Sequence, residues 1–270
     1  MRHRLLLAAS LLFASPIAAQ PADTAHAPPI QDNSFLIEEA YNQEAGVVQH
    51  ITTFQLRRHS SDLDAAFTQE WPFRSIRHQL SYDVPYTRVD GSGGIGDIGI
   101  NYRYQLTGDG DARLAIAPRL SVTLPTGDWK RARGNGGLGF EINIPVSYVV
   151  SPYLVTHLNA GGAVTPSARN QVGDQARTAE LGIGQSVIVT ASNAIQPMLE
   201  VIYSRREEVE SDDRTVADES FFISPGVRAA LNFRSGLQIV PGVAFPIGAG
   251  LSRGQRGVFF YLSFEHMFGK

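Results

Sequence analysis

From residue 47 to the end of the chain, hydrophobic and polar residues alternate one by one. Between 97 and 106, Ile98, Ile100, Tyr102, Tyr104 and Leu106 fall on one side of the repeat, and Asp97, Gly99, Asn101, Arg103 and Gln105 on the other. The same code runs through 113–124, where Leu114, Ile116, Leu120, Val122 and Leu124 oppose Arg113, Ala115, Arg119, Ser121 and Thr123. It recurs at 137–148 (Leu138, Phe140, Ile142, Ile144, Val146 and Tyr148 against Gly139, Glu141, Asn143 and Ser147) and at 257–268. A period of two is the mark of a strand with one apolar and one polar face.

Applied throughout, the pattern predicts about twelve strands, near 47–57, 65–73, 76–87, 95–106, 112–124, 137–149, 153–164, 178–190, 195–206, 219–232, 237–247 and 257–268. Most run ten to thirteen residues, longer than ordinary sheet strands of roughly five or six. That length suits tilted strands crossing a bilayer, which need about 9–11 residues. Tight connections are expected at 74–75, 107–111, 150–152, 191–194 and 233–236, alternating with longer polar ones at 58–64, 88–94, 125–136, 165–177, 207–218 and 248–256. Short turns at one end and long loops at the other are the habit of outer-membrane barrels. The expected fold is all-β, a transmembrane antiparallel up-and-down β-barrel occupying 47–270. A soluble periplasmic binding β-sandwich shares the period-two code and is the competing architecture.

The first twenty residues, "MRHRLLLAASLLFASPIAAQ", combine a basic start, an apolar run from Leu5 to Phe13 and small residues at Ala18 and Ala19. They read as a cleaved secretory signal peptide. Residues 21–46 read as a flexible leader, with a possible short helix at 34–44 capped by Ser34, and this N-terminal segment is a candidate to tuck into the barrel lumen. Without Arg2 and Arg4 the chain has 21 basic against 26 acidic residues, so nothing suggests a nucleic-acid surface. The chain has no cysteine, which excludes disulfides, thiolate metal sites and a cysteine nucleophile.

If the apolar faces meet lipid, the polar faces line a lumen. The predicted lumen set is Glu70, Arg77, Asp83, Asp97, Arg103, Arg119, Glu141, His157, Glu180, Glu200, Arg228 and Glu265. One reading has these charges pairing across strands to stiffen a filled interior. The sharper one has Arg103, Arg119 and Glu141 forming a constriction that orders a solute. Tyr82, Tyr86, Tyr102, Tyr104, Tyr148 and Phe268 are candidates for aromatic girdles on the lipid side.

Motifs for other chemistry are sparse. The glycines of "GIGDIG" (Gly94, Gly96, Gly99) and again Gly134, Gly136 and Gly139 have G-x-G-x-x-G spacing. Each copy runs into an alternating strand rather than a helix, so they read as loop-to-strand junctions and not as a dinucleotide loop. His157 has no serine in its local strand, there is no G-x-S-x-G elbow or H-E-x-x-H motif, and His50, His78 and His266 are scattered. Neither an enzyme, a cofactor nor a metal is expected.

At "GIGDIGINYRYQL", "PRLSVTLPTGD", "GNGGLGFEINIPVSYVVSPYLVTHLNAGG" and "SPGVRAALNFRSGLQIVPGVAFPIG" the chain resembles the outer-membrane β-barrel transporters of the meta-pathway phenol-degradation type. The resemblance spans most of 45–268. It implies a Gram-negative outer-membrane location and passage of small, hydrophobic or aromatic molecules. The partners expected are outer-membrane lipid, the outer-membrane assembly machinery and a small-molecule solute of unknown identity. The alternative role is a closed structural or lipid-interacting barrel.

Overall fold

The computed structural model describes residues 32–58, 62–89, 91–110, 112–192 and 194–267. The signal peptide, the leader as far as residue 31 and Phe268 lie outside the described residues. The rest forms twelve barrel strands: β1 (Val47–Arg57), β2 (Leu63–Phe73), β3 (Ser75–Val89), β4 (Ser92–Ile95 resuming as Ile98–Tyr104) and β5 (Leu114–Ile116 resuming as Arg119–Leu124). They continue as β6 (Gly139–Ser151), β7 (Leu154–Arg169), β8 (Gln175–Val189) and β9 (Ile195–Ser211). The last are β10 (Arg214–Ala229), β11 (Gln238–Ala244 resuming as Ile247–Gly248) and β12 (Gly257–Met267).

Each strand pairs antiparallel with its sequence neighbours, and β1 pairs with β12 from Val47↔Met267 to Arg57↔Gly257. The sheet therefore closes on itself and leaves no edge. Closure matters because hydrocarbon offers no partner for a bare N–H or C=O.

Burial is inverted relative to a water-soluble domain. Phe54, Ile100, Leu120, Phe140, Ile142, Leu181, Phe260 and Leu262 are exposed, whereas Gln49, Gln79, Asn101, Arg103, Ser147, His157, Glu200 and Arg228 are buried. An apolar outer wall around a polar inner wall is stable only with lipid outside. The soluble sandwich is thereby excluded, since its apolar faces would meet in a core.

Two expectations are corrected. The connections at 88–94, 165–177 and 207–218 are not long loops. Their polar residues continue the ladders as hairpins, with β9 pairing to β10 as far as Ser211↔Arg214 and β7 to β8 as far as Arg169↔Gln175. Charges such as Arg205, Arg206, Glu207 and Glu208 cannot sit in lipid, yet cross-strand hydrogen bonding does not need lipid. The hairpins thus project beyond the membrane. Second, residues 34–44 contain no helix; Ser34 donates its hydroxyl to the Ile37 carbonyl at 3.0 Å and caps nothing.

Candidate functional site

Residues 32–43 hydrogen-bond to side chains from β1, β3, β4, β6, β7, β9, β10 and β12. A segment that touches strands all round a closed barrel can only lie inside it. The wall positions involved lie near the strand ends closest to the start of β1 and the end of β12. The lumen is therefore crossed near its short-turn end.

An extended segment has backbone donors and acceptors that a strand partner would ordinarily satisfy. Here wall side chains take that part. Glu200 Oε1 accepts the N–H groups of Phe35, Leu36 and Ile37 at 3.0, 2.8 and 3.2 Å. Asn159 accepts from Glu38 N–H at 2.9 Å and donates to the Glu38 carbonyl at 2.8 Å. Gln105 accepts from Asn42 N–H at 2.9 Å and donates to the Ala40 carbonyl at 2.7 Å, while Gln79 accepts from Gln43 N–H at 2.8 Å. These primary amides imitate the peptide group of a neighbouring strand.

Cations hold the carbonyls. Arg103 donates to the Glu39 and Tyr41 carbonyls at 3.1 and 2.7 Å and to Asn42 Oδ1 at 3.0 Å. Arg228 donates to the carbonyls of Asp32 and Asn33 at 2.6 and 2.8 Å. The Asp32 carboxylate accepts from Gln49, Tyr261 and Ser263. Apolar sockets complete the fit: a Cβ on Gly242 or Gly226 would lie 2.3 or 2.7 Å from the Phe35 ring, and one on Gly184 2.3 Å from Ile37 Cδ1. Only glycine leaves room for those two side chains against the wall.

Each predicted lumen residue has a definite place. Arg119, Glu141 and Glu38 form one cluster, with Arg119 Nη2 at 2.8 Å from Glu38 and 2.6 Å from Glu141. Buried Glu70 accepts from Gln79 at 2.6 Å and lies 3.8 Å from Arg103. Asp83 accepts from Asn101 at 2.9 Å. Glu180 pairs with Arg206 at 3.0 Å. Glu265 is half-buried, level with Gln49 and Gln238. Arg77 is exposed at the short-turn end. Arg103 leaves the expected Arg103–Arg119–Glu141 trio, because it serves backbone carbonyls instead.

Asp97 anchors the loop at 125–138, accepting from Gly127 N–H at 2.9 Å and Asn135 N–H at 2.7 Å. A Cβ on Gly134 would strike the Asp97 carboxylate at 2.3 Å, and one on Gly127 the Arg133 carbonyl at 1.7 Å. The glycine-rich stretches thus let this loop fold down onto β4. Beyond the cross-lumen segment, the loop and β7–β9 border an open cavity of about 600 Å³ lined by residues including Trp129, Thr165, Arg169, Glu180, Arg206 and Glu208.

His157 has no serine in its own strand, as expected, but it meets one from the neighbouring strand. Ser147 Oγ lies 2.6 Å from His157 Nδ1 and accepts the Ala40 N–H at 2.7 Å. Ser147 Oγ thus joins the His157 ring to the backbone of the segment, and the serine is fully buried beneath residue 40. The arrangement clamps the segment rather than presenting a nucleophile to solvent.

Charge inside the segment is uneven. Burial alone would raise the Glu38 carboxyl, but Arg119 and Arg103 outweigh it and hold Glu38 below its ordinary range. Burial, reinforced by Asp32, pushes Glu39 well above that range against the pull of Arg103 and Arg228. Burial likewise raises Asp32 despite Arg228, Ser263 and Tyr261.

The sequence reading of the lumen looked for charge and so missed Gln49, Gln79, Gln105, Asn159 and Ser147. Their signal was present as primary amides and hydroxyls recurring on the polar face.

These features define an outer-membrane β-barrel, seated in the outer membrane by its apolar exterior. No protein-family profile matches the chain, and no curated protein does. Among solved structures it is similar to the COG4313 outer membrane channel from Pseudomonas putida F1, at 12% identity and a TM-score of 0.64, over 85% of this chain and 98% of that one. It is also similar to the NanC porin, at 8% identity and a TM-score of 0.55, over 82% of this chain and 100% of that one. Both likenesses are of fold.

Proposed function

We propose that this chain is an outer-membrane channel for small solutes whose conduction is limited by its own residues 32–44. The observation that carries the reading is a polar lumen crossed near one end by a segment held through side chains, with an open cavity beyond it. A barrel meant only as a membrane staple could fill its lumen with its own wall side chains. Here the filling is a separable strip of chain. The predicted lumen residues Glu70, Arg103, Arg119, Glu141, His157, Glu200 and Arg228 serve on this reading as the clamp, and Asp97 and Glu180 as the outer vestibule. Hydrophobic or aromatic solutes are the narrower reading. It rests on the resemblance to the meta-pathway phenol-degradation transporters and on Trp129, Val172 and Val209 beside the vestibule cavity.

Planar-bilayer conductance and solute flux in reconstituted vesicles test the proposal. Low, intermittent conductance that rises in variants with a weakened clamp is expected. If neither the native chain nor such variants conduct or pass solute, the barrel is closed and structural.

A further inference from the structure

The histidines that look scattered in the sequence are not all scattered in space. His50 on β1 and His266 on β12 share the outer face at the seam where the barrel closes, one row apart in the register. Their Nε2 atoms are 3.2 Å apart and their rings lie nearly parallel, 15° from each other. Gln69 is the direct cross-strand partner of His50 on β2. Together with Val48, Trp71 and Tyr82 these residues line a groove of about 420 Å³. His266 is the penultimate residue of β12 and His50 the fourth of β1, so the groove lies toward the short-turn rim, and Trp71 and Tyr82 beside it are residue types that favour the membrane–water interface.

We propose that His50 and His266 bind a divalent transition-metal ion, zinc being the best fit, that ties the last strand to the first. Three features support this. Zinc–nitrogen bonds of about 2.0–2.1 Å at a tetrahedral angle set two imidazole nitrogens roughly 3.3–3.4 Å apart, close to the separation present. His266 Nδ1 faces the Met267 carbonyl at 3.2 Å. A carbonyl only accepts, so Nδ1 carries the proton and Nε2 presents a lone pair toward His50, the arrangement that supports a metal-bound histidine. Finally, the His50 ring is fixed in place, stacked on Phe264 at 4.6 Å.

Without metal, His50 Nε2–H donates to His266 Nε2. Metal binding replaces that shared proton, which passes to His50 Nδ1 as the neutral ring changes tautomer. No group of three or more His, Asp or Glu among the described residues could hold a metal, so water oxygens complete the shell.

The test uses the full, untagged chain in detergent at pH 7.5, titrated with zinc chloride by calorimetry, with the unfolding temperature followed in parallel. One zinc per barrel is expected, with unfolding raised by about 3–6 °C at tenfold excess over Kd. His50→Ala and His266→Ala should each weaken binding at least tenfold. His78→Ala should leave it unchanged, because His78 sits beside Tyr102 away from the seam. Both seam substitutions replace outward-facing side chains, and retention of the folded-barrel band on unheated gels verifies their fold. Absence of zinc binding at 100 µM, or binding that persists undiminished in both folded seam variants, overturns the proposal.

Discussion

Replacing Glu200 with alanine would remove the single acceptor that holds three consecutive N–H groups of the cross-lumen segment. A hydrogen bond contributes about 0.5–1.5 kcal/mol net, and up to about 3 kcal/mol where the acceptor is ionised, but three donors at 3.0, 2.8 and 3.2 Å share one oxygen, so they do not sum. Glu200 has 0% exposure, so docking also carries a desolvation cost that alanine abolishes. The balance is a net loss of roughly 2–4 kcal/mol of docking free energy. At 1.4 kcal/mol per decade that raises the undocked population by about thirty- to a thousandfold. Glu200→Gln keeps an oxygen acceptor without its charge and should fall between alanine and the native residue.

The absence of cysteine makes a clean assay possible. Ser34 is fully buried, and Ser34→Cys gives the chain one thiol whose maleimide labelling reports undocking. In the Ser34→Cys background, Glu200→Ala should accelerate labelling by at least tenfold and raise single-channel conductance in parallel. A folded Glu200→Ala barrel that labels and conducts within twofold of its parent would show that Glu200 does not hold the segment.

Glu39→Gln tests the electrostatics with the opposite sign. Because the docked carboxyl is raised above its free value, docking is favoured while Glu39 is protonated and weakens as pH climbs through the docked value. The glutamine variant should dock more firmly at neutral pH and lose the weakening that rising pH brings to the parent; a pH series of thiol labelling that matches the parent would refute it. Arg119→Glu would gather three carboxylates where Arg119 now bridges Glu38 and Glu141, so conductance should rise with a shift toward cations, and unchanged selectivity in a conducting barrel counts against this cluster as the narrow point. Gly242→Ala puts a methyl group against the Phe35 ring and should speed Ser34→Cys labelling several-fold without lowering barrel stability in heat-modifiability gels. Gly127→Ala cannot fit against the Arg133 carbonyl; it should free the loop at 125–138 and speed tryptic cleavage after the already exposed Lys130 and Arg131, and trypsin resistance equal to the parent would contradict the folded-down loop.

The twelve strands were legible because a strand's two faces are a local property. Alternation at Ile98 to Leu106 needs no knowledge of the partner strand, and the structure resumes β4 at Ile98–Tyr104. Loop length was less legible. Polarity in 207–218 marks an aqueous position, but whether such residues pair depends on the neighbouring strand, and here they do.

An N-terminal segment tucked into the lumen was among the expectations, but neither charge nor periodicity says which side chains would hold residues 32–43 there. Asn159, Gln105 and Glu200 lie on three different strands, far from that segment along the chain. His50 and His266, at opposite ends of the barrel sequence, become neighbours only when β12 closes on β1. By itself, then, the sequence determined the faces: apolar residues toward lipid, polar residues inward, and a chain long enough for twelve crossings. Closure of the sheet decided the rest. Which polar side chains clamp the cross-lumen segment, and which histidines meet at the seam, depends on cross-strand register and on three-dimensional return of the chain, which local patterning does not encode.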